Sequence, residues 1–259
     1  MRPPAPIDQR RVDAFVVRVL GPVEQLADQA PRLRAADAAP RTLIFQHLPG
    51  DARWTFDPEH HRDAGRLLRR LHDAAPPTFH GPTVAPLTAQ RLRFAFRQCD
   101  DQTLSPDERE FALAAVPELR HRAADLPRVP CHGDYGGHNW VRGPNGLSVI
   151  DFSTSRRTTA MSDWRRLYAG PWWSNPGLAE AFFDGYGREM LEEEAACVRL
   201  QMRAFTVFHV ALGKRKGEAL LEQRGRERLH ELMNARGPLS PRPRWGPFRG
   251  LRPRGQGTP

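Results

Sequence analysis

The chain has 259 residues, of which 39% are apolar, and its mean hydropathy is -0.61. This composition is typical of a water-soluble globular protein, and we expect no membrane span. Three cysteines, Cys99, Cys131 and Cys197, lie far apart without C-x-x-C spacing. The spacing argues against a zinc ribbon or a disulfide framework. We find no signal-peptide pattern, and the expected compartment is the cytoplasm.

The net charge of +9, from 39 basic and 30 acidic residues, raises nucleic acid as a partner. Residues 236–259, however, contain six arginines and no acid, so residues 1–235 carry 33 basic residues against 30 acidic ones, a net charge of +3. This tail of proline, glycine and arginine cannot build a core, and we expect it to be disordered. Nucleic acid is therefore disfavoured as a partner, although an arginine-dependent nucleic-acid-binding protein stays an alternative.

Regular elements are predicted in the first part of the chain from apolar spacing and from turn residues. Residues 13–26 have helical spacing, and residues 42–45 form a β-prone apolar run that predicts a buried strand. The pair Asp57–Pro58 is a typical helix start, and a stripe of leucines continues to His72. We expect the middle of the chain to be mostly helical.

A β-hairpin is predicted between further helices. Helices are expected at 92–98 and at 107–124. Residues 140–142 and 147–150 read as two strands around a Gly-Pro-Asn-Gly turn at 143–146. Helices resume around Asp163, Leu178, Glu192 and Glu218.

The ends of this hairpin carry polar residues that indicate chemistry. With the turn at 143–146, Asn139 lies opposite residue 150, so Asn139 and Asp151 meet with backbones about 5–6 Å apart. An amide oxygen and a carboxylate placed together suit magnesium carried in with phosphates. Asp134 lies on a glycine-rich loop, close enough to accept a proton from a hydroxyl. Phosphoryl transfer needs such a carboxylate and two metal-binding side chains.

The order Asp-x4-Asn, hairpin, Asp-Phe is that of the catalytic and metal-binding loops of kinases. The full motif, H-G-D-x4-N at 132–139 followed by I-D-F at 150–152, resembles the aminoglycoside phosphotransferase and choline kinase group of small-molecule kinases. TLIFQHLPG at 42–50 is similar to the hinge between the lobes of that family, and Asp163 in MSDWRRL is similar to the aspartate of a later helix.

The resemblance implies an α+β fold of the protein-kinase type with two lobes. We expect an incomplete N-lobe with the hinge at 1–50, and a mostly helical C-lobe with the catalytic β-hairpin at 51–235. The Pro/Arg/Gly tail at 236–259 follows them. The oligomeric state stays open.

The resemblance also implies roles for individual residues. Asp134 would be the catalytic base, and Asn139 and Asp151 would be magnesium ligands. The Gln46 carbonyl and the Leu48 amide would hydrogen-bond the adenine of ATP. The implied activity is transfer of the γ-phosphate of ATP to a hydroxyl of a small molecule, with Mg²⁺. Loop histidines beside Asp134 could instead bind a hydrolase-type metal, but backbone hydrogen bonds explain them as well.

The resemblance is incomplete before the hinge. Such kinases have a glycine-rich hairpin and an ATP-binding lysine there, whereas the two lysines of this chain are Lys214 and Lys216. We expect a start site assigned too far downstream, and a natural loss of the strand is the competing explanation. The alternative function is accordingly a catalytically impaired kinase-like binding protein.

The acceptor is suggested by an acidic segment. Residues 178–197 contain six acids against Arg188 alone. A cationic hydroxylated acceptor, such as an aminoglycoside or an amino alcohol, would suit this charge. A solvated helix face explains the same charges.

Overall fold

The computed structural model describes residues 26, 29–37, 42–52, 55–99 and 102–234. The helix expected at 13–26 and the tail at 236–259 therefore lie outside the described residues, except for Leu26. Within the described ranges, no helix combines the length and the apolar character needed to cross a membrane. The described fold contains both helices and strands and is mostly helical, with three small sheets.

The strands form antiparallel pairs. The first sheet pairs β1 (Leu33–Asp37) with β2 (Thr42–Phe45). The second has the order β3-β5-β6, formed by β3 (Asp51–Ala52), β5 (Trp140–Gly143) and β6 (Gly146–Val149). The third pairs β4 (Arg128–Cys131) with β7 (Arg156–Thr159).

Four of the described helices precede the hairpin and five follow it. In chain order they are α1 (Pro58–His72), α2 (Val84–Gln98), α3 (Pro106–Leu113), α4 (Ala115–Arg122), α5 (Met161–Ala169), α6 (Pro171–Ser174), α7 (Gly177–Tyr186), α8 (Glu192–Lys216) and α9 (Ala219–Asn234). Short 3-10 turns occupy Gly137–Asn139 and Phe152–Thr154.

The predicted helix starts are confirmed where a local cap defines them. The Asp57 side chain accepts a hydrogen bond from the Glu59 amide at 2.9 Å, and α1 ends at His72 as expected. Helix α2 is longer than predicted, since it begins at Val84 after the cap Thr83. The prediction began too late because Pro86, in the first turn of α2, is a residue that disrupts a helix interior but is tolerated near a helix start.

The single helix predicted at 107–124 is wrong, because the structure has two helices that meet at Ala114. The predicted start is confirmed, since Ser105 and Glu108 form a reciprocal capping box. Pro117 explains the break: proline has no amide proton, and its ring clashes with the carbonyl four residues earlier in a continuous helix.

The strand at 42–45 is confirmed, but its partner was not predicted. Residues 33–37 lack a polar and apolar alternation, and only the pairing with β2 identifies them as a strand. The Gln46 amide extends this pairing by donating to the Arg32 carbonyl at 2.8 Å. Phe45, at the end of the strand expected to be buried, is exposed.

The helical part is built around α8, which packs against α2, α4, α5 and α9. A larger apolar cluster contains the fully buried rings of Trp164, Trp172 and Phe182. A smaller cluster, with Leu92 and Val207, joins α8 to α2 and α9. Helix α8 therefore supports the elements on both of its sides.

Helices α1 and α7 meet through two glycines. A Cβ at Gly65 would lie 2.0 Å from the Phe182 carbonyl oxygen, and a Cβ at Gly185 would lie 1.9 Å from the Arg62 carbonyl oxygen. Real Cβ atoms do not approach backbone oxygens so closely. The backbones therefore approach each other at a distance that only glycine permits.

We predict that Gly185→Ala destabilises the protein by about 2 kcal/mol, because the new methyl group must push α1 and α7 apart. Gly177→Ala is the control on the same helix, since its Cβ would meet only Asn175 Oδ1 at 3.6 Å. The control should leave stability unchanged or raise it by up to about 1 kcal/mol. Urea unfolding of both variants checks the prediction, and equal midpoints would refute the close contact.

Candidate active site

The buried Asp163 carboxylate, near the start of α5, holds the loop that follows β4. Asp163 Oδ2 accepts a hydrogen bond from the His132 amide at 2.9 Å, and Oδ1 accepts one from the Gly133 amide at 2.6 Å. His72 at the end of α1 donates from Nε2 to Oδ2 at 3.1 Å. Two successive backbone amides and one side chain thus converge on one acid.

These donors also keep Asp163 ionised. Burial by itself would raise the pKa of Asp163, but the hydrogen bonds from His72 and from the Gly133 amide contribute to lowering it below its usual value. The carboxylate is therefore negative at neutral pH, and its charge is matched by fixed donors. Asp163, which the sequence analysis placed in a helix after the hairpin, thus anchors the loop that follows β4.

The loop conformation requires Gly133. Its φ of +83° lies in the left-handed region, and a Cβ there would lie 2.4 Å from the Thr154 carbonyl oxygen. The next residue, Asp134, is consequently placed by a backbone turn that a side chain at 133 would prevent.

His132 joins the loop to the hairpin. It is fully buried, and its Nε2 donates to the Ile150 carbonyl at 2.9 Å. The Asp134 amide donates to Nδ1 at 3.3 Å, which assigns the proton to Nε2. Burial lowers the pKa of His132, so the ring is neutral. A neutral ring that uses both nitrogens is unsuited to binding a metal.

The hairpin has the register that the sequence predicted. Arg142 pairs with Leu147, and the Ile150 amide donates to the Asn139 carbonyl at 3.0 Å. This bond closes the open end of the hairpin with Asn139 on one strand and Asp151 directly after the other. The Asn139 side chain is nearly buried, and its Nδ2 donates to the Asp134 carbonyl at 3.0 Å.

Asp151 has an unusual backbone and an ionised side chain. Its φ of 63° is the only positive value at a non-glycine position among the described residues. Ser153 donates from its hydroxyl to Asp151 Oδ1 at 2.6 Å. This bond is the main cause that lowers the pKa of the exposed Asp151 carboxylate. Ser153, directly after the Asp-Phe pair, thus helps to hold the acid.

Asp134 presents a carboxylate with a small exposed fraction. Its Oδ2 lies 3.3 Å from His138 Nε2, and its Oδ1 contacts the Nε atom of Arg166 in α5. Tyr135, the next residue, donates to the Ala64 carbonyl at 2.7 Å and ties the loop to α1. The structure therefore holds Asp134 between the hairpin and the helical part.

Gln46 and Leu48 follow β2 in an extended segment. Because the Gln46 amide is used within the sheet, its carbonyl is the backbone group left for a ligand at this residue. Both residues are half-buried. Their adenine-binding roles stay a prediction.

The sequence analysis did not identify Arg166 as a residue that contacts Asp134. It lies three residues after Asp163 on α5, and residues three apart share a helix face. Because Asp163 was expected to contact the loop, this spacing could have placed Arg166 beside the same loop.

A loop carboxylate, with an asparagine and an aspartate at the open end of one hairpin, is chemically suited to phosphoryl transfer. The chain belongs to the phosphotransferase enzyme family, whose model matches residues 2–197. No protein of curated function matches the sequence.

Solved structures show the same fold at low sequence identity. A choline/ethanolamine kinase family protein from Mesorhizobium loti is 17% identical, with a TM-score of 0.65 over 89% of this chain and 82% of its own. An aminoglycoside phosphotransferase from Alicyclobacillus acidocaldarius is 18% identical, with a TM-score of 0.58 over 88% and 84%. An aminoglycoside phosphotransferase from Streptomyces rimosus, in complex with ADP and streptomycin, is 19% identical, with a TM-score of 0.55 over 79% and 85%.

We predict that Asp163→Asn destabilises the protein by about 3 kcal/mol, because an amide has only one acceptor oxygen and leaves buried donors unpaired. Asp125→Asn, at an exposed position, is the matched control and should change stability by less than about 0.5 kcal/mol. Chemical unfolding monitored by tryptophan fluorescence measures both. Equal stability of the two variants would contradict the anchoring role.

Proposed function

We propose that the protein transfers the γ-phosphate of ATP to a hydroxyl group of a small molecule in the presence of Mg²⁺. The main support for this proposal is the hydrogen bond from the Ile150 amide to the Asn139 carbonyl, which brings Asn139 and Asp151 to one end of the hairpin. The Asn139 side chain also donates a hydrogen bond to the Asp134 carbonyl, so the third residue lies at the same place. In the same proposal, residues 1–50 contribute part of an N-lobe and the hinge, and residues 51–235 form the C-lobe.

Asp134 is the catalytic base of this proposal. It would orient the acceptor hydroxyl and accept its proton as the hydroxyl oxygen bonds to the transferred phosphorus and the bond to the leaving phosphate breaks. The loop supports this role because Gly133, Tyr135 and Asn139 each fix the backbone beside Asp134. A base held in place needs no reorganisation when the substrate binds.

Asn139 and Asp151 have the donor chemistry that a magnesium ion requires. The amide nitrogen of Asn139 is already donated to the Asp134 carbonyl, which leaves its oxygen as the acceptor. The Asp151 carboxylate is exposed and ionised. Hard oxygen ligands of this kind fit Mg²⁺. When bound, the ion neutralises charge on the phosphates.

ATP is proposed as the phosphate donor because of the hinge. The Gln46 carbonyl and the Leu48 amide would provide one acceptor and one donor to the adenine edge. ADP in the structure of the Streptomyces rimosus phosphotransferase is consistent with a nucleotide donor in this fold.

A catalytically impaired kinase-like binding protein is the second candidate. It is favoured by the positions of Lys214 and Lys216, which are exposed in the last turn of α8. Neither lies in the sequence before the hinge, where such kinases carry the ATP-binding lysine. This candidate predicts failure to bind Mg–ATP.

The acceptor class expected from the sequence was an aminoglycoside or an amino alcohol. Neighbouring structures include an enzyme in complex with streptomycin and a choline/ethanolamine kinase family protein. Three of the acids on which the expectation relied have arginine partners: Asp184 with Arg62 at 2.6 Å, Glu193 with Arg122 at 3.1 Å and Glu194 with Arg188 at 2.7 Å. Those ion pairs favour the explanation of the acids as structural.

We predict that Asp134→Asn lowers acceptor-dependent ADP formation at least about 100-fold, because the variant removes the proton acceptor. Binding of Mg–ATP should change less than about threefold, since Asp134 is not a metal ligand in the proposal. Asp151→Asn should instead weaken Mg–ATP binding, because it removes a charged ligand. A coupled assay over hydroxylated acceptors and calorimetric titration of Mg–ATP measure the two effects.

The control for both variants is Asp125→Asn, which should behave like the wild-type protein. Unchanged turnover in Asp134→Asn would refute the role of the base. Absence of Mg–ATP binding to the wild-type chain would favour the binding protein over the enzyme.

A further inference from the structure

Arg166 in α5 covers one carboxylate oxygen of the proposed base. Its Nε atom contacts Asp134 Oδ1, and both atoms are closed to solvent and have no other hydrogen-bond partner in the described part of the chain. The second oxygen, Oδ2, lies 3.3 Å from His138 Nε2. Because an ionised carboxylate only accepts hydrogen bonds, the imidazole is the donor. Each oxygen of the acid therefore has a donor side chain against it.

The contact of Arg166 is not needed to hold the loop in place. The Gly133 amide, the Tyr135 hydroxyl and the Asn139 side chain each donate a hydrogen bond that fixes the backbone around Asp134. None of these three bonds uses the Asp134 carboxylate. Arg166 instead contacts the group that would accept the proton of the acceptor, so its effect is on the reactivity of the acid.

Asp134 is the only ion-pair partner of Arg166 among the described residues. Asp163, one turn earlier in α5, already accepts its three hydrogen bonds from other donors. Opposite charges that are partly removed from water stabilise each other, and separating them costs free energy. The Arg166 side chain is nevertheless 39% exposed, so its guanidinium can turn toward solvent without a change in the helix. Oδ1 becomes accessible only after that movement.

We propose that Arg166 protects the base from water, so that the phosphoryl group is transferred only when an acceptor is bound. The inference rests on the proposed function, because Arg166 acts through Asp134. A single water molecule has no further contacts that could offset the separation of the ion pair. An acceptor that binds through several groups has them, and part of its binding free energy can move Arg166 from Oδ1. Arg166 is thus a positioning residue that favours the acceptor over water.

The reaction that Arg166 suppresses is hydrolysis of ATP. The oxygen of a water molecule would bond to the γ-phosphorus while the bond from that phosphorus to the oxygen of ADP breaks. ADP leaves with the electron pair of the broken bond, and one proton of the water passes to Asp134. The products are ADP and inorganic phosphate. Transfer to the acceptor differs only in the hydroxyl group that takes the place of water.

Release of inorganic phosphate from Mg–ATP by the full chain, without any acceptor, tests the proposal. We expect Arg166→Gln to release phosphate at least about tenfold faster than the wild-type protein, the change in rate that corresponds to one charge-assisted hydrogen bond. Arg166→Lys retains a cation that can reach the carboxylate, and it should release phosphate more slowly than Arg166→Gln. This difference separates loss of the charged contact from a general change of the helix.

Two further variants assign the effect to the base. Asp134→Asn combined with Arg166→Gln should lose the increase in phosphate release, because no carboxylate is left to accept the proton. Arg122→Gln is the matched control: the Arg122 side chain is 37% exposed, and it also contacts carboxylates, but those belong to Glu118 and Glu193 in α4 and α8. The control should release phosphate at the rate of the wild-type protein.

Melting curves of the same variants test the contact without any turnover. Because Arg166 and Asp134 stabilise each other in the structure, the shifts in Tm of Arg166→Gln and Asp134→Asn should not add in the double variant. Cooperative melting also shows that each variant folds. Additive shifts would overturn the proposal, since the two side chains would then not interact.

The proposal is also wrong if Arg166→Gln binds Mg–ATP normally and releases phosphate no faster than the wild-type protein. Faster release that persists in the double variant would equally overturn it, and so would slower release together with weaker binding of Mg–ATP, which would assign Arg166 to the nucleotide. Failure of the proposed function gives a different result. Calorimetric titration then shows no binding of Mg–ATP to the wild-type protein or to any variant, the non-additive shifts in Tm remain, and the role of Arg166 is refuted with that function.

Discussion

The Asp163 carboxylate is the interaction on which the arrangement of the site depends. It is buried, and a buried negative charge is tolerated only where donors compensate for lost water. Two of its three donors are the consecutive amides of His132 and Gly133, so the charge is bound to the backbone of the loop itself. His72 brings the end of α1 to the same point. Three segments that are distant in sequence are thereby joined at one charge.

The hairpin is connected to this anchor through His132. Its ring accepts from the Asp134 amide and donates to the Ile150 carbonyl, so the loop and the end of β6 share one neutral side chain. Asn139 closes the arrangement by bonding to the Ile150 amide through its carbonyl and to the Asp134 carbonyl through its side chain. Each of these hydrogen bonds has a backbone group at one end at least. The distances between Asp134, Asn139 and Asp151 therefore depend little on the mobility of exposed side chains. Such preorganisation is what phosphoryl transfer requires.

The sequence predicted those parts of the fold that local chemistry determines. Asp57 caps α1 by itself, and the Gly-Pro-Asn-Gly turn specifies the hairpin register within ten residues. Strand β1 was not predicted because its only structural signal is its pairing with β2. The contact of Arg166 with Asp134 was also not predicted, because the two residues lie 32 positions apart in the sequence. Charges brought together by tertiary packing leave no periodic pattern.

Helix α5 combines two functions that follow from its geometry. Asp163 and Arg166 are three residues apart, so both side chains point from one face toward the loop. The first holds the loop through its backbone, and the second contacts the carboxylate that the loop presents. The acid is rigidly placed, but the arginine opposes its use as a base. A ligand can favour the active arrangement only through a difference in its affinity for the two states of Arg166.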